Sequence, residues 1–364
     1  LTNDGTVSLG GNETIGDLSG AGTITNNGND LAVTQTNNQN FSGNITGMGG
    51  LTKQGEASLT LSNGSDFTGD ANVNEGGLVV SGALATNTIN VANEATLTTT
   101  AADLLSSAAT LTNDGTVTLG GDQTLTTLLG ASTGVVNIGA NDLILTGGAD
   151  FQGRINGRGG SISVGPGDFI LGGDNTFTGL LTILSGSTTT LDGSVDGSVT
   201  VNTGAELVLG SAERIDDQSH LNVNGILNTN GEETVNSFTA TGTINGAGTV
   251  SALTTSLSGA TVNANLEDGA LTSNGNTSLN GNANAGTVTV AGGTLTVSGA
   301  LTNNSAAINV DAGTLAADGT IAAASIDVAQ GATLTTEEAE RLNDGVALTN
   351  DGTVSLGGNE TIGD

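Results

Sequence analysis

Cysteine, tryptophan and tyrosine are missing from this 364-residue chain, which has one Met (Met48), one Pro (Pro166), one His (His220) and six Phe. Globular domains of this length build their cores from aromatics and large aliphatics. With 35% hydrophobic residues, mostly Leu, Val, Ile and Ala, the composition speaks against a broad spherical core. It suits a narrow core repeated along an axis. The lack of Cys leaves no disulfides and fits a secreted protein. Basic residues are almost as scarce: Lys53, Arg154, Arg158, Arg214 and Arg341 stand against 36 Asp and Glu, a net charge of −31. They form no patch, so nucleic acid and anionic membrane surfaces are disfavoured as partners. No apolar run approaches the roughly 20 residues of a membrane span, so no membrane insertion of this segment is expected. There is no initiating Met and no signal-peptide pattern. The chain starts mid-repeat at Leu1 and carries no capping helix at either end, so neither end is expected to be a natural terminus.

What is present points to strands and tight turns. Gly supplies 60 residues, and Asn and Thr are abundant. Gly and Asn tolerate positive φ, while Thr and Val favour extended backbone. Disorder is the other reading of so high a charge, but the apolar residues recur in regular alternating clusters.

Internal repeats decide the architecture. Residues 1–17, LTNDGTVSLGGNETIGD, recur letter for letter at 348–364. Related stretches start at Leu111 (LTNDGTVTLGGDQTLTTL) and Leu221 (LNVNGILNTNGEETVNSF). The residues before each start also align, from Ala95, Ala205 and Ala332. Each is a strand followed by a polar, Ala- and Glu-rich segment expected to make about one helical turn at a corner. The expected organisation is three units, 1–110, 111–220 and 221–347, with 348–364 opening the next copy, all in one continuous solenoid. Identity across the duplicated segment implies a parent with tandem copies, so further copies of the chain along the axis are the expected partner.

A finer rhythm runs inside each unit. Thr6-Val7-Ser8-Leu9, Thr23-Ile24-Thr25, Leu31-Ala32-Val33, Leu59-Thr60-Leu61 and Leu78-Val79-Val80 alternate apolar with small polar residues. Gly, Asn and Asp separate them at intervals too short for the crossovers of about a dozen residues that a doubly wound sheet needs. An antiparallel sandwich tolerates short strands, but it does not need a duplicated unit whose rhythm continues without a linker. An all-β fold, a parallel β-helix (β-solenoid) of stacked short-strand coils, accommodates both facts. At roughly 20 to 22 residues per coil the chain makes about 17 coils, with Asn and Thr laddering from coil to coil.

Two segments resemble known families. Gly49-Gly50-Leu51-Thr52-Lys53-Gln54-Gly55, Ser58-Leu59-Thr60-Leu61-Ser62, Asp66-Phe67-Thr68-Gly69 and Gly77-Leu78-Val79-Val80 resemble the passenger-associated transport repeat of autotransporters. A second copy keeps Asp174-Asn175-Thr176-Phe177-Thr178-Gly179, and a third, from Leu271, loses both the Lys and the aromatic. Glu13 to Ile24, with Leu18-Ser19-Gly20-Ala21-Gly22-Thr23, is similar to the strand-turn-strand of haemagglutinin-like passengers. Together they cover about a third of the chain. The resemblance implies a right-handed β-helix, an extracellular bacterial location, and a role in adhesion, biofilm or passenger display. It also makes a host or neighbouring-cell surface, or a matrix polysaccharide, the expected partner class.

Candidate sites are few. Asp-Gly recurs at Asp4-Gly5, Asp114-Gly115, Asp192-Gly193, Asp196-Gly197, Asp268-Gly269, Asp318-Gly319, Asp344-Gly345 and Asp351-Gly352. Stacked Ca²⁺ sites are one reading, but the nonapeptide repeat that would supply enough oxygens is absent, so these are read as tight turns. No cofactor is expected, Ca²⁺ being the one weak candidate. Glu232-Glu233 and Glu337-Glu338 are paired carboxylates of the kind that hydrolyse sugars; without nearby aromatics they read as solvated corners. Arg214 beside Glu213 and Arg341 beside Glu340 read as local charge pairs, and His220 stands alone. Phe41, Phe67 and Phe177 are expected to plug the core at coil corners. Pairs such as Thr96/Thr98, Thr287/Thr289 and Thr294/Thr296 read as solvent faces of strands. Gly120-Gly121-Asp122 lacks the Lys and helix of a phosphate cradle. No catalytic, cofactor-binding or metal-ligating residue is assigned. The expectation is a structural, adhesive stalk and not an enzyme. The alternatives are a β-helical polysaccharide lyase or hydrolase, against which the scattered basic residues speak, and a self-polymerising filament subunit.

Overall fold

The computed structural model describes residues 1–363; Asp364, the last residue of the duplicated segment, lies outside the described residues. Among them there is no helix, and parallel strands stack in roughly 19 coils: a β-solenoid. The chain divides into two compact units, Leu1–Thr182 with Gly186–Gly197, and Ile183–Ser185 with the residues from Ser198 on.

In the first unit most coils carry short strands on up to three sides. One column runs through Glu13–Ile15, Leu31–Thr34, Leu51–Gln54, Ala71–Val73, Thr88–Val91 and Thr110–Asn113, each in parallel register with the next. A second runs through Gln39–Phe41, Ser58–Leu61, Gly77–Val80, Thr96–Thr99, Thr116–Thr118, Val135–Asn137 and Arg154–Asn156. The third side begins as single bridges, Ser65 to Leu84 to Leu105. It becomes regular at Gln123–Leu125, Leu143–Leu145 and Ile162–Val164. Within a strand alternate residues point inward: Ser58–Leu61 buries Leu59 and Leu61 and leaves Ser58 and Thr60 half-buried, the period-two rule of extended chain. Like stacks on like, Leu59 under Leu78 under Leu97 under Val117. The sequence equivalent of Glu13–Ile15 is Gln123–Leu125, yet Glu13–Ile15 belongs to the first column and Gln123–Leu125 opens the third. The repeat near 110 residues is therefore not a whole number of coils, and the same motif serves on different sides.

Between Ile226 and Val328 the second unit pairs one short strand with one long strand per coil. The short ones include Ile226–Thr229, Thr243–Gly246, Thr261–Val262 and Thr277–Leu279. The long ones are Glu232–Ala240, Thr249–Leu257, Asn265–Asn274, Ala283–Gly292, Ala300–Val310 and Thr320–Val328. A long strand is two short ones fused. In Thr249–Leu257 the buried residues are Val250, Ala252, Thr255 and Leu257, so the alternation skips a beat at Leu253 and Thr254, where both side chains face solvent. That skip is the corner.

Two expectations are corrected. Coils were set at 20 to 22 residues; between Leu221 and Val297 each register step is only 16 to 18, as in Leu221 to Phe238 and Thr255 to Leu271. Fusing two sides into one strand removes a loop, and the shorter coil is why the coil number exceeds 17. The Ala- and Glu-rich segments were expected to turn once as helix. Instead single residues turn left-handed, Asp103 at φ 51°, Glu213 at 52° and Glu340 at 56°. A helical turn needs four consecutive residues to bond to each other. Here Asp103, Glu213 and Glu340 donate their N–H groups to Asp122, Glu232 and Asn359 of the following coil.

Candidate functional site

The corners are the most elaborated polar sites in the molecule. After Glu213, the N–H groups of Arg214 and Ile215 both donate to the Glu233 carboxylate, at 2.8 and 2.6 Å. After Glu340, those of Arg341 and Leu342 donate to Glu360 at 2.9 and 3.0 Å. After Asp103 the partner is an amide: Leu105 N–H donates to Gln123 Oε1 at 3.1 Å, and Gln123 Nε2 donates back to Leu105 O at 3.0 Å. Three aligned corners are thus closed by three aligned side chains, and Leu105, Ile215 and Leu342 plug the core beneath them. Glu233 has no solvent exposure. Burial pushes its carboxyl up to about 7, against the pull of the Arg214 and Ile215 N–H groups.

Glu232-Glu233 is therefore not a solvated pair: Glu232 is exposed and Glu233 is a buried cap. Glu337 and Glu338 are both exposed, as expected. The Arg-Glu pairs expected between sequence neighbours are not the pairs formed. Arg341 pairs with Glu338, the one ion pair among the described residues, and Arg214 donates to the Ser211 hydroxyl. The left-handed turn at Glu213 and Glu340 puts these neighbours in the chain reversal itself. His220 Nδ1 meets Ser237 Oγ at 2.5 Å.

Three further ionisable groups are built into the packing. Lys53 is fully buried, and its ammonium donates to the carbonyls of Gln54, Gly55 and Glu75 at 2.9, 2.7 and 2.9 Å. Burial lowers its pKa, opposed by the Glu75 charge. Three converging carbonyls are what an ammonium with three donors can satisfy. Asp268, 7% exposed, accepts from the Thr255 hydroxyl at 2.5 Å, and its other oxygen has no partner. Burial drives its carboxyl up to about 7, with the Glu267 charge adding to the effect and the Thr255 bond opposing it. Asp17 goes the other way. The Asn37 amide, then the Thr36 N–H, hold it at about 2.

The Asp-Gly turns owe their glycine to coil contact more than to φ. Among them only Gly345 has a left-handed φ. A Cβ on Gly193 would come within 1.7 Å of Gly173 O, and one on Gly319 within 1.9 Å of Gly299 O. The aspartates at Asp4 and Asp114 bind the next coil, accepting from Ala21 and Ala131 N–H. No group of three or more metal-ligating side chains converges among the described residues. Phe41, Phe67 and Phe177 are fully buried.

Outside, polar ladders run along the coils. Asn137 donates to Thr118, Asn156 to Asn137, and Thr176 to Asn156, at 3.4, 3.1 and 3.0 Å. In the second unit Asn263 donates to Asn245 and Asn280 to Asn263, both at 2.8 Å. The first ladder floors an open groove of about 680 Å³ bordered by Arg158, Thr178 and Asp196. It offers amides, hydroxyls, one guanidinium and one carboxylate, a lining that suits hydrogen bonding to a hydroxylated chain. The caps and the Lys53 cage were missed in the sequence. Their signal was there: Gln123, Glu233 and Glu360 align, as do the corners they close.

No family model matches the chain, and neither the curated proteins nor the solved structures contain a match to it.

Proposed function

We propose that the chain is the structural stalk or passenger region of a large secreted bacterial surface adhesin or extracellular fibre. The observation that carries this reading is the duplicated segment. Residues 348–363 repeat 1–16 and lie in parallel register on the coil before them, Thr353–Leu356 on Thr333–Thr336. The register across this boundary is that of any other pair of coils, so length is set by copy number, which is the property of a spacer. The acidic surface supports it by disfavouring side-by-side sticking, and the Lys53 segment supports it through its resemblance to passenger repeats. The groove and ladders give such a stalk a polar surface for matrix polysaccharide or a neighbouring cell. Antibodies against the chain are expected to label intact producing cells or their matrix; labelling that requires permeabilisation sinks the reading. Incubation with acidic polysaccharides is expected to yield no unsaturated product.

A further inference from the structure

The Asn137–Asn156–Thr176 ladder leaves half of its amide hydrogen-bonding capacity unused. A side-chain amide has two N–H donors and an oxygen with two lone pairs. Asn137 gives one N–H to Thr118 Oγ1 and one lone pair to the Asn156 amide; Asn156 gives one N–H to Asn137 Oδ1 and one lone pair to the Thr176 hydroxyl. The ladder thus fixes the orientation of both amides. Each keeps a second N–H and a second lone pair for a ligand.

These groups repeat along the coil axis. Thr118, Asn137 and Asn156 stand in parallel register; Thr176 follows through its hydroxyl, and Asp196 follows Thr176 because Asn175 pairs with Val195. From Asn137 to Asp196 the floor of the groove runs three coil steps, about 14 Å at about 4.8 Å per step. One step is close to the span of one pyranose ring. Gly157 brings the bordering loop down onto the core, where a Cβ would lie 2.5 Å from Ile138 Cγ1, and Arg158 stands exposed on that loop at the edge of the groove. Asn137 and Asn156 alternate with the buried Val136 and Ile155, so they face outward from their strands. The groove lies wholly within the first unit and faces sideways, so coils stacked before and after leave it open.

Charge selects the ligand. Of the five basic residues, Lys53 is held in its carbonyl cage, Arg214 donates to Ser211 and Arg341 pairs with Glu338. The other two, Arg154 and Arg158, are both here, and the two Arg stand against two Asp, Asp174 and Asp196. This stretch is balanced in a chain of net charge −31, so the surrounding field repels polyanions while the groove itself attracts neither sign. A sugar hydroxyl both donates and accepts, matching the leftover N–H and lone pair of each amide. A carboxylate or sulfate only accepts and would leave the lone pairs unmatched.

We propose that this groove binds a neutral polysaccharide lengthwise, one sugar per coil, with the Asn137 and Asn156 amides and the Thr176 hydroxyl bonding its hydroxyls. Phe177, between Thr176 and Thr178, points into the core, so the grip is by hydrogen bonds and one groove binds weakly; tandem copies would add avidity. The inference rests on the stalk reading, whose surface it supplies with a ligand class.

The test is calorimetry on the purified full chain with dextran, mannan and xylan as neutral probes and alginate as the acidic one. Saturable binding in the millimolar range is expected with at least one neutral polymer, and none with alginate. Asn156→Ala with Thr176→Val is expected to weaken it at least tenfold with an unchanged circular-dichroism spectrum, since both side chains face outward. Asn263→Ala, in the ladder of the second unit, is expected to leave it unchanged. No saturable binding to any of the three neutral polymers overturns the proposal. So does tighter binding to alginate, an unaffected double variant, or an equal loss with Asn263→Ala. Any of these would leave surface labelling as it was, and a failure of labelling would leave the calorimetry readable.

Discussion

The wide coils of the first unit and the tight coils between Leu221 and Val297 solve one problem in two ways. Five of the six Phe lie in the first unit, at Phe41, Phe67, Phe151, Phe169 and Phe177, all fully buried. Steps there are typically 19 to 21 residues, as in Leu59 to Leu78 and Leu128 to Ala149. In the tight coils the interior is lined instead by Ala240, Ala252, Ala260, Ala264, Ala283 and Ala285 alongside Leu and Val. A shorter loop of chain encloses less cross-section, and smaller side chains fill it. Coil length and core volume are therefore chosen together, as close packing demands.

The largest effect expected concerns the rule both regions share. Leu59→Asp puts a charge among Gln39, Leu78 and the core and is expected to cost more than about 4 kcal/mol. Thr60→Asp, one residue away on the outer side, is expected to stay within about 1 kcal/mol in urea unfolding. Equal losses would refute the inward-outward assignment. The next effect separates the regions. Phe151→Ala should cost about 3–5 kcal/mol by leaving a cavity, whereas Ala285→Leu should cost about 1–3 kcal/mol by overfilling a tight coil. If Ala285→Leu stabilises, the thin core is not full.

The two regions should also differ in pH response. Asp268 has a folded pKa of about 7, raised from 3.8. Between those values the folded state holds a proton that the unfolded state has released. Its contribution is complete below about pH 4, falls as pH rises and is lost above about 7, at up to about 1.4 kcal/mol per pH unit. Asp268→Asn is expected to flatten that dependence and to stabilise at pH 8 more than at pH 5, read from hydrogen exchange in Asn265–Asn274. Asp17, held low, gives the opposite sign in the first unit, where stability is lost as pH falls toward 2. The smallest effect is expected for Glu233→Gln. Gln123 already closes the equivalent corner as an amide, so the loss should stay below about 1 kcal/mol at pH 8. A larger loss would mean that the caps are not interchangeable.

Much of the fold was legible because alternation is periodic and its failures are few. Leu59, Leu61, Leu78 and Val80 announce their inward side. Leu253 does not: it is apolar yet 68% exposed, because the strand turns its corner there and the alternation changes phase. A lone sequence carries no mark for that skip. The caps were hidden for another reason. Glu233 and Lys53 look like surface residues by type; the coil before Glu233 supplies its two donors, and Lys53 is allowed inside by the carbonyls of Gln54 and Gly55 beside it together with that of Glu75 on the next coil.

The closure of each corner by a residue of the following coil has a consequence for the order of events. Arg214 and Ile215 wait for Glu233, and Arg341 and Leu342 for Glu360, 18 or 19 residues later in the chain. A polypeptide delivered from its N-terminus would lock each bend only as the next winding arrived, and fraying from the far end would have to undo these latches one by one. The molecule carries a ratchet whose teeth are single side chains, two carboxylates and one amide.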